Sequence, residues 1–184
     1  MRILAISGSL REASYNTLLA HAAAALAPAG VEVEVYDGLG SLPLYDADLD
    51  GEDAPAPVRE LRERIADADA VLFVTPEYNG SVPGVLKNAV DWASRPPRGG
   101  AALWGATAAV AGASTGQYGA LWAQQDLRRV LGIAGARVVA SELPVPRAAD
   151  AFTDGRLRDP LLEQRLRDHL EALVAEAAPI AVAA

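Results

Sequence analysis

Between Gly8 and Thr17 the chain reads Gly-Ser-Leu-Arg-Glu-Ala-Ser-Tyr-Asn-Thr, a short segment crowded with hydroxyl, amide and guanidinium donors. Ser9, Ser14, Asn16 and Thr17 can each donate a side-chain hydrogen bond, and Arg11 offers a charged fork. A helix starting near Tyr15 adds unpaired N–H groups and the positive end of its dipole. Such a loop suits a phosphate. It lacks the Lys of a Gly-x-x-x-x-Gly-Lys-[Ser/Thr] loop and the spacing of Gly-x-Gly-x-x-Gly, which sets aside a nucleoside triphosphate or a dinucleotide here. Taken alone, Ser14 could equally be an ordinary helix cap and Arg11 a solvated side chain.

Two further segments have the same character. In Thr75-Pro76-Glu77-Tyr78-Asn79-Gly80-Ser81-Val82-Pro83-Gly84, the prolines and glycines predict an extended backbone whose N–H and C=O groups can face the edge of a planar ring. Tyr78 offers a flat face beside it. The plainer alternative is a rigid turn that opens a helix. Gly112-Ala113-Ser114-Thr115-Gly116-Gln117-Tyr118-Gly119 is again rich in donors, although Ser114 and Thr115 could simply cap the helix that follows.

Other chemistry finds less support. Asp46, Asp48, Asp50 and Gly51 imitate the start of an EF-hand loop, but its twelfth position is Pro57 where a bidentate Glu is needed. His21 and His169 fall in helical stretches with no partner at triad or metal spacing, so both read as structural or solvent-facing. Without cysteine there is no disulfide, thiolate metal site or thiol nucleophile, and any redox chemistry must come from a bound cofactor.

The elements that must position these loops are legible in the hydrophobic pattern. Ile3 to Ile6, Val31 to Tyr36, Ala70 to Thr75, Thr107 to Gly112 and Ala136 to Ala140 are short, nearly continuous apolar runs. They predict strands covered on both faces. Helical spacing occupies Tyr15 to Ala27, Val58 to Ala68, Gly84 to Ser94, Tyr118 to Leu131 and Leu161 to Ala178. The alternation predicts a doubly wound α/β sandwich, a five-stranded parallel sheet in the order 2-1-3-4-5 with helices on both faces. In that topology the three donor-rich segments meet at the carboxyl edge. Residues 1–178 read as a single domain, Leu39 to Pro57 as a long surface loop, and 179–184 as a frayed tail.

The composition narrows the function classes. At 184 residues, 51% of them apolar and 22% charged, the chain suits one well-buried core. No apolar stretch reaches the roughly 18 residues of a membrane span, and the run Ile3–Ile6 is too short for a secretory signal. Sixteen basic against 24 acidic residues give a net charge of -8, which opposes nucleic-acid binding. These features point to a cytoplasmic protein with neither nucleic-acid nor membrane partners.

The segments Gly-Ser-Leu-Arg-x-x-Ser-x-Asn after the first strand and Pro-Glu-Tyr-Asn-Gly-Ser-Val-Pro-Gly-Val-Leu-Lys-Asn-Ala-Val-Asp-Trp after the third closely resemble the NADPH-dependent FMN reductase family. The similarity runs over nearly all the chain and includes Leu42-Pro43-Leu44-Tyr45-Asp46. It implies a flavodoxin-like fold in which Ser9, Arg11, Ser14 and Asn16, with Thr17 beside them, hold the FMN phosphate. It further implies that Pro76, Glu77, Tyr78, Asn79 and Gly80 lie along the isoalloxazine, and that Ser114, Thr115 and Gly116 close its other edge. NADPH or NADH is then the co-substrate, with a small acceptor such as a flavin, quinone, azo dye or metal oxyanion. No catalytic side chain is implied, since the cofactor performs the chemistry. Departures are modest: the third loop carries less glycine than is common in relatives, and no Lys precedes the fourth strand. The helix holding Lys87 and Asp91 is apolar on more than one side, and relatives associate through this region, which implies a homodimer or homotetramer. The rival readings are a flavodoxin-type electron carrier and a phosphate-binding module without redox activity. A response regulator is excluded, because its first strand would end in acidic residues rather than Ser7-Gly8.

Overall fold

Odd and even residues of the central strands face opposite layers, and the core divides accordingly. The computed structural model describes residues 1–96 and 99–178. Its strands are β1 (Arg2–Ser7), β2 (Glu32–Tyr36), β3 (Ala70–Thr75), β4 (Thr107–Ala113), β5 (Arg137–Val138) and β6 (Leu143–Val145), all parallel in one sheet. The order is β2-β1-β3-β4-β5, with β6 also pairing with β4. Every residue of β3 and β4 is buried, which is why those strands read as unbroken apolar runs.

On one face Ile3, Ala5, Leu72, Val74 and Ala109 pack against α1 (Tyr15–Ala25) and α6 (Pro160–Ala177) through Leu19, Ala23, Leu166, Leu170 and Leu173. On the other, Leu4, Ile6, Val71, Phe73 and Val110 meet α2 (Ala56–Ala66), α3 (Gly84–Ala93) and α4 (Leu121–Ile133) through Leu61, Ile65, Leu86, Val90, Leu127 and Leu131. A short helix α5 (Ala148–Ala151) and the two-stranded pair β7 (Phe152–Thr153) and β8 (Arg156–Leu157) link β6 to α6.

The fold is the expected doubly wound sandwich, with local corrections. The fifth strand, expected over Ala136 to Ala140, is broken into β5 and β6, which pair with opposite ends of β4. Polar Ser141 and Glu142 interrupt the apolar run, and the Arg128 guanidinium donates to the carbonyls of Val139 and Ser141. The helix expected from Tyr118 begins at Leu121, because Gly119 and Ala120 both adopt left-handed backbone at φ 60°.

The long connection 39–57 is more ordered than a surface loop. It contains two 3-10 turns (Gly38–Ser41 and Ala47–Leu49) and the first residues of α2. Its Pro43 carbonyl accepts hydrogen bonds from Asn88 and Trp92 of α3, at 2.8 Å each. Of the EF-hand-like acids, Asp46 caps a 3-10 turn through the Asp48 N–H and Asp50 pairs with Arg62 at 2.7 Å. Among the described residues no acidic or histidine cluster could hold a metal, and no helix is long and apolar enough to cross a membrane. The expected tail, 179–184, lies outside the described residues.

Candidate functional site

Three loops leave the carboxyl ends of adjacent strands β1, β3 and β4. The first runs from Gly8 to Ser14. Ser14 is the N-cap of α1: its Oγ accepts the N–H groups of Asn16 and Thr17 at 3.2 and 3.4 Å. Arg11 N–H donates to Ser9 Oγ at 3.3 Å, which folds the loop over on itself. The amides of Ser9, Leu10, Glu12, Ala13 and Ser14 have no partner among the described residues. Donors left unpaired beside the positive end of a helix are the means by which backbone binds an anion. The Arg11 guanidinium lies 5.2 Å from the centre of the Tyr15 ring and pairs with no described carboxylate. This cradle fits a phosphate monoester, and therefore the phosphate end of FMN.

Two residues that the sequence places on the anion are turned inward. Asn16 is buried, and its side-chain amide exchanges two bonds with the backbone of Ala113 at the end of β4. Thr17 shares a hydroxyl hydrogen bond of 2.9 Å with Ser7. Asn16 thereby joins the first loop to the third, and Thr17 joins α1 to β1.

The second loop is not extended throughout, as its prolines and glycines suggested. Tyr78 and Ser81 exchange backbone hydrogen bonds at 3.2 and 3.1 Å across Asn79 (φ 53°) and Gly80 (φ 73°). Positive φ at both central residues is the mark of a type I′ turn, and the Asn-Gly dipeptide was the signal available for it. Pro76 is buried beneath the loop, whereas Tyr78 is 54% exposed. Glu77 points toward α4: its carboxylate accepts the N–H groups of Trp122 and Ala123 at 3.0 and 3.2 Å, capping that helix. Ser81 donates to Asp126 of the same helix at 2.7 Å.

The third loop is pinned at both ends. Ser114 Oγ accepts from Ala120 N–H at 3.2 Å, and Ser114 N–H donates to Val145 at 3.1 Å. Buried Gln124, absent from the expected site, donates to the Gly119 carbonyl at 3.0 Å and accepts from Leu143 N–H at 3.3 Å. Gly119 must be glycine, since an added Cβ would lie 2.6 Å from the Val145 nitrogen at a left-handed φ. Thr115 and Gly116 remain exposed between these anchors. Tyr118 and Trp122 stand beside them about half exposed, with ring centres 5.0 Å apart. No sequence motif marked this pair, whose apposition depends on the late start of α4.

The histidines lie elsewhere. His21 is exposed on α1, and His169 is buried in α6 with Nδ1 2.8 Å from Ser141 Oγ and Nε2 without a partner among the described residues. Burial, with the charges of Arg128 and Arg165, lowers the His169 pKa to about 4.

Residues 1–150 match the family model described as NADPH-dependent FMN reductase. The chain is 42% identical over 175 residues to an NAD(P)H-dependent FMN reductase of Pseudomonas aeruginosa, covering 94% of this chain and 93% of that one. It is 50% identical over 131 residues to a 2-hydroxy-1,4-benzoquinone reductase of a Burkholderia species, covering 71% and 69%. Among solved structures it resembles the flavoenzyme NAD(P)H:(acceptor) oxidoreductase of Paracoccus denitrificans, with a TM-score of 0.85, 37% identity and 96% of each chain covered.

Proposed function

Because the chain belongs to the NADPH-dependent FMN reductase family, we propose that the three loops at the carboxyl edge are where this oxidoreductase holds FMN. The observation that carries the assignment is the set of amides of Ser9, Leu10, Glu12, Ala13 and Ser14, without partners among the described residues and set beside Arg11 at the start of α1. Those amides and the Arg11 fork take the phosphate. Ser9 and Ser14 shape the loop, and Asn16 and Thr17 hold it in place.

The Pro76–Gly80 turn on one side and the exposed Thr115 and Gly116, anchored by Ser114, on the other would flank the ring. When bound, FMN would supply the redox chemistry that links oxidation of NADPH or NADH to reduction of a small acceptor. The protein needs only to orient the ring and offer fixed donors where charge accumulates, so no side chain of this chain is assigned as an acid or base. Glu77 and Ser81 fix the second loop against α4, and Asn16 fixes the first against the third. The exposed rings of Tyr78, Tyr118 and Trp122 suit a flat aromatic acceptor, a quinone in preference to a metal oxyanion.

A cytoplasmic homodimer or homotetramer completes the reading. The support for assembly is a groove of about 610 Å³ between α3 and α4, in which Trp104 and Ile133 expose apolar surface beside the Lys87–Asp91 pair. Titration of FMN into the protein and into Arg11→Ala tests the assignment. A dissociation constant about tenfold to a hundredfold higher in the variant is expected for a charge-assisted phosphate contact. Equal affinity would remove Arg11 from the site.

A further inference from the structure

A cleft of about 260 Å³ lies beyond the third loop, between Pro146–Ala151 and the first turns of α6. It is joined to that loop by backbone: Arg147 N–H donates to Gly116 and Ala148 N–H to Ser114, each at 3.0 Å. Three guanidiniums line it, from Arg147, Arg158 and Arg165.

None of the three pairs with a carboxylate among the described residues. Asp150 and Asp159 also line the cleft, but Asp159 Oδ1 is engaged as the cap of α6 by Leu161 N–H at 2.9 Å. Among the described residues, the one side-chain hydrogen bond these arginines make is a long 3.5 Å contact from Arg158 to the Asp150 carbonyl. Against Asp150 and Asp159, the three arginines leave the cleft lining with one positive charge in excess, a local reversal of sign in a chain of net charge -8.

Arg147 carries a second signal. Its φ of 48° lies in the left-handed region, where a long side chain is uncommon and glycine is at ease. The cleft is also smaller than the roughly 300 Å³ at which drug-sized pockets begin, so it suits a phosphoryl group with part of a sugar rather than a whole dinucleotide.

We propose that this cleft binds the 2′-phosphate of NADPH and sets a preference for NADPH over NADH. The inference rests on the FMN reductase reading and adds the coenzyme's selectivity to it. Guanidinium forks match phosphate oxygens in geometry and charge, whereas the ribose hydroxyl of NADH offers them no anion. No sequence pattern reveals the cluster, because Arg147, Arg158 and Arg165 converge only when β6, the β7–β8 pair and α6 are packed.

The test uses the FMN-loaded protein, Arg147→Gly and Arg158→Gln/Arg165→Gln. The glycine variant relieves the backbone while removing a guanidinium. For each, kcat/KM is measured with NADPH and with NADH, and adenosine 2′-monophosphate, adenosine 5′-monophosphate and inorganic phosphate are titrated by calorimetry.

The expected result is that the wild type prefers NADPH and binds the 2′-nucleotide above the other two ligands. Each variant should lose about tenfold to a hundredfold in both NADPH kcat/KM and 2′-nucleotide affinity, with NADH turnover within about twofold. A wild type without coenzyme preference, or variants that leave the preference unchanged, overturns the inference while NADH turnover preserves the enzyme reading. Equal binding of all three ligands would reduce the cleft to a general anion site and likewise overturn it. Loss of turnover with both coenzymes in the wild type, with 2′-nucleotide binding intact, would instead count against the FMN reductase reading alone.

Discussion

Asn16 and Ala113, 97 residues apart, exchange two hydrogen bonds: Asn16 Nδ2 donates to the Ala113 carbonyl at 3.0 Å and Ala113 N–H donates to Asn16 Oδ1 at 2.9 Å. The pair ties the first turn of α1 to the end of β4 across β3, so the phosphate cradle and the third loop cannot drift apart independently. Both partners are buried, which makes the clamp costly to break.

Asn16→Ala should therefore act on folding as well as on binding. It leaves a buried N–H and a buried carbonyl unpaired, at about 1–3 kcal/mol each, so unfolding in urea should show a loss of roughly 2–6 kcal/mol. FMN affinity should fall with it. A variant of unchanged stability that no longer binds FMN would mean that Asn16 touches the ligand directly.

Glu77 is expected to behave as a helix cap. Removing its carboxylate in Glu77→Ala exposes the first N–H groups of α4 and should cost about 0.5–2 kcal/mol, while Glu77→Gln keeps an acceptor and most of that stability. Thermal unfolding of the two variants separates them. Equal loss of flavin binding in both, with stability intact, would assign Glu77 to the ring.

The buried His169 predicts a specific loss of stability in acid. Its folded pKa of about 4 lies below the usual value of 6.5, so the unfolded chain binds the extra proton first. The stabilisation is complete above pH 6.5 and is lost progressively as pH falls toward 4, by about 3 kcal/mol in all. Urea unfolding at pH 7 and pH 5 should show a larger loss in the wild type than in His169→Gln. Parallel losses would move the acid sensitivity to other groups.

The layers and strand order were legible because a strand buried on both faces leaves an unbroken apolar run, as in Ala70–Thr75 and Thr107–Ala113. The same signal failed at the fifth strand, where Ser141, Glu142 and the reach of Arg128 divide the ladder. At the site, donor-rich loops marked the right edge of the sheet, but residue types did not say where side chains turn. Asn16, Thr17 and Glu77 could all donate or accept toward a ligand, yet their partners Ala113, Ser7 and the start of α4 come into reach only through packing. Gln124 escaped notice for the same reason: nothing in its own helix predicts that it bridges Gly119 and Leu143. The Asn79-Gly80 turn, by contrast, was written locally in its dipeptide.

The visible spectrum of the purified protein with added FMN, recorded anaerobically before and after NADPH, tests the central claim most directly. Flavin bands that travel with the protein and bleach on NADPH addition are the predicted result. Bands that remain after both NADPH and NADH would describe an electron carrier, and protein that retains no flavin would contradict the assignment of the three loops.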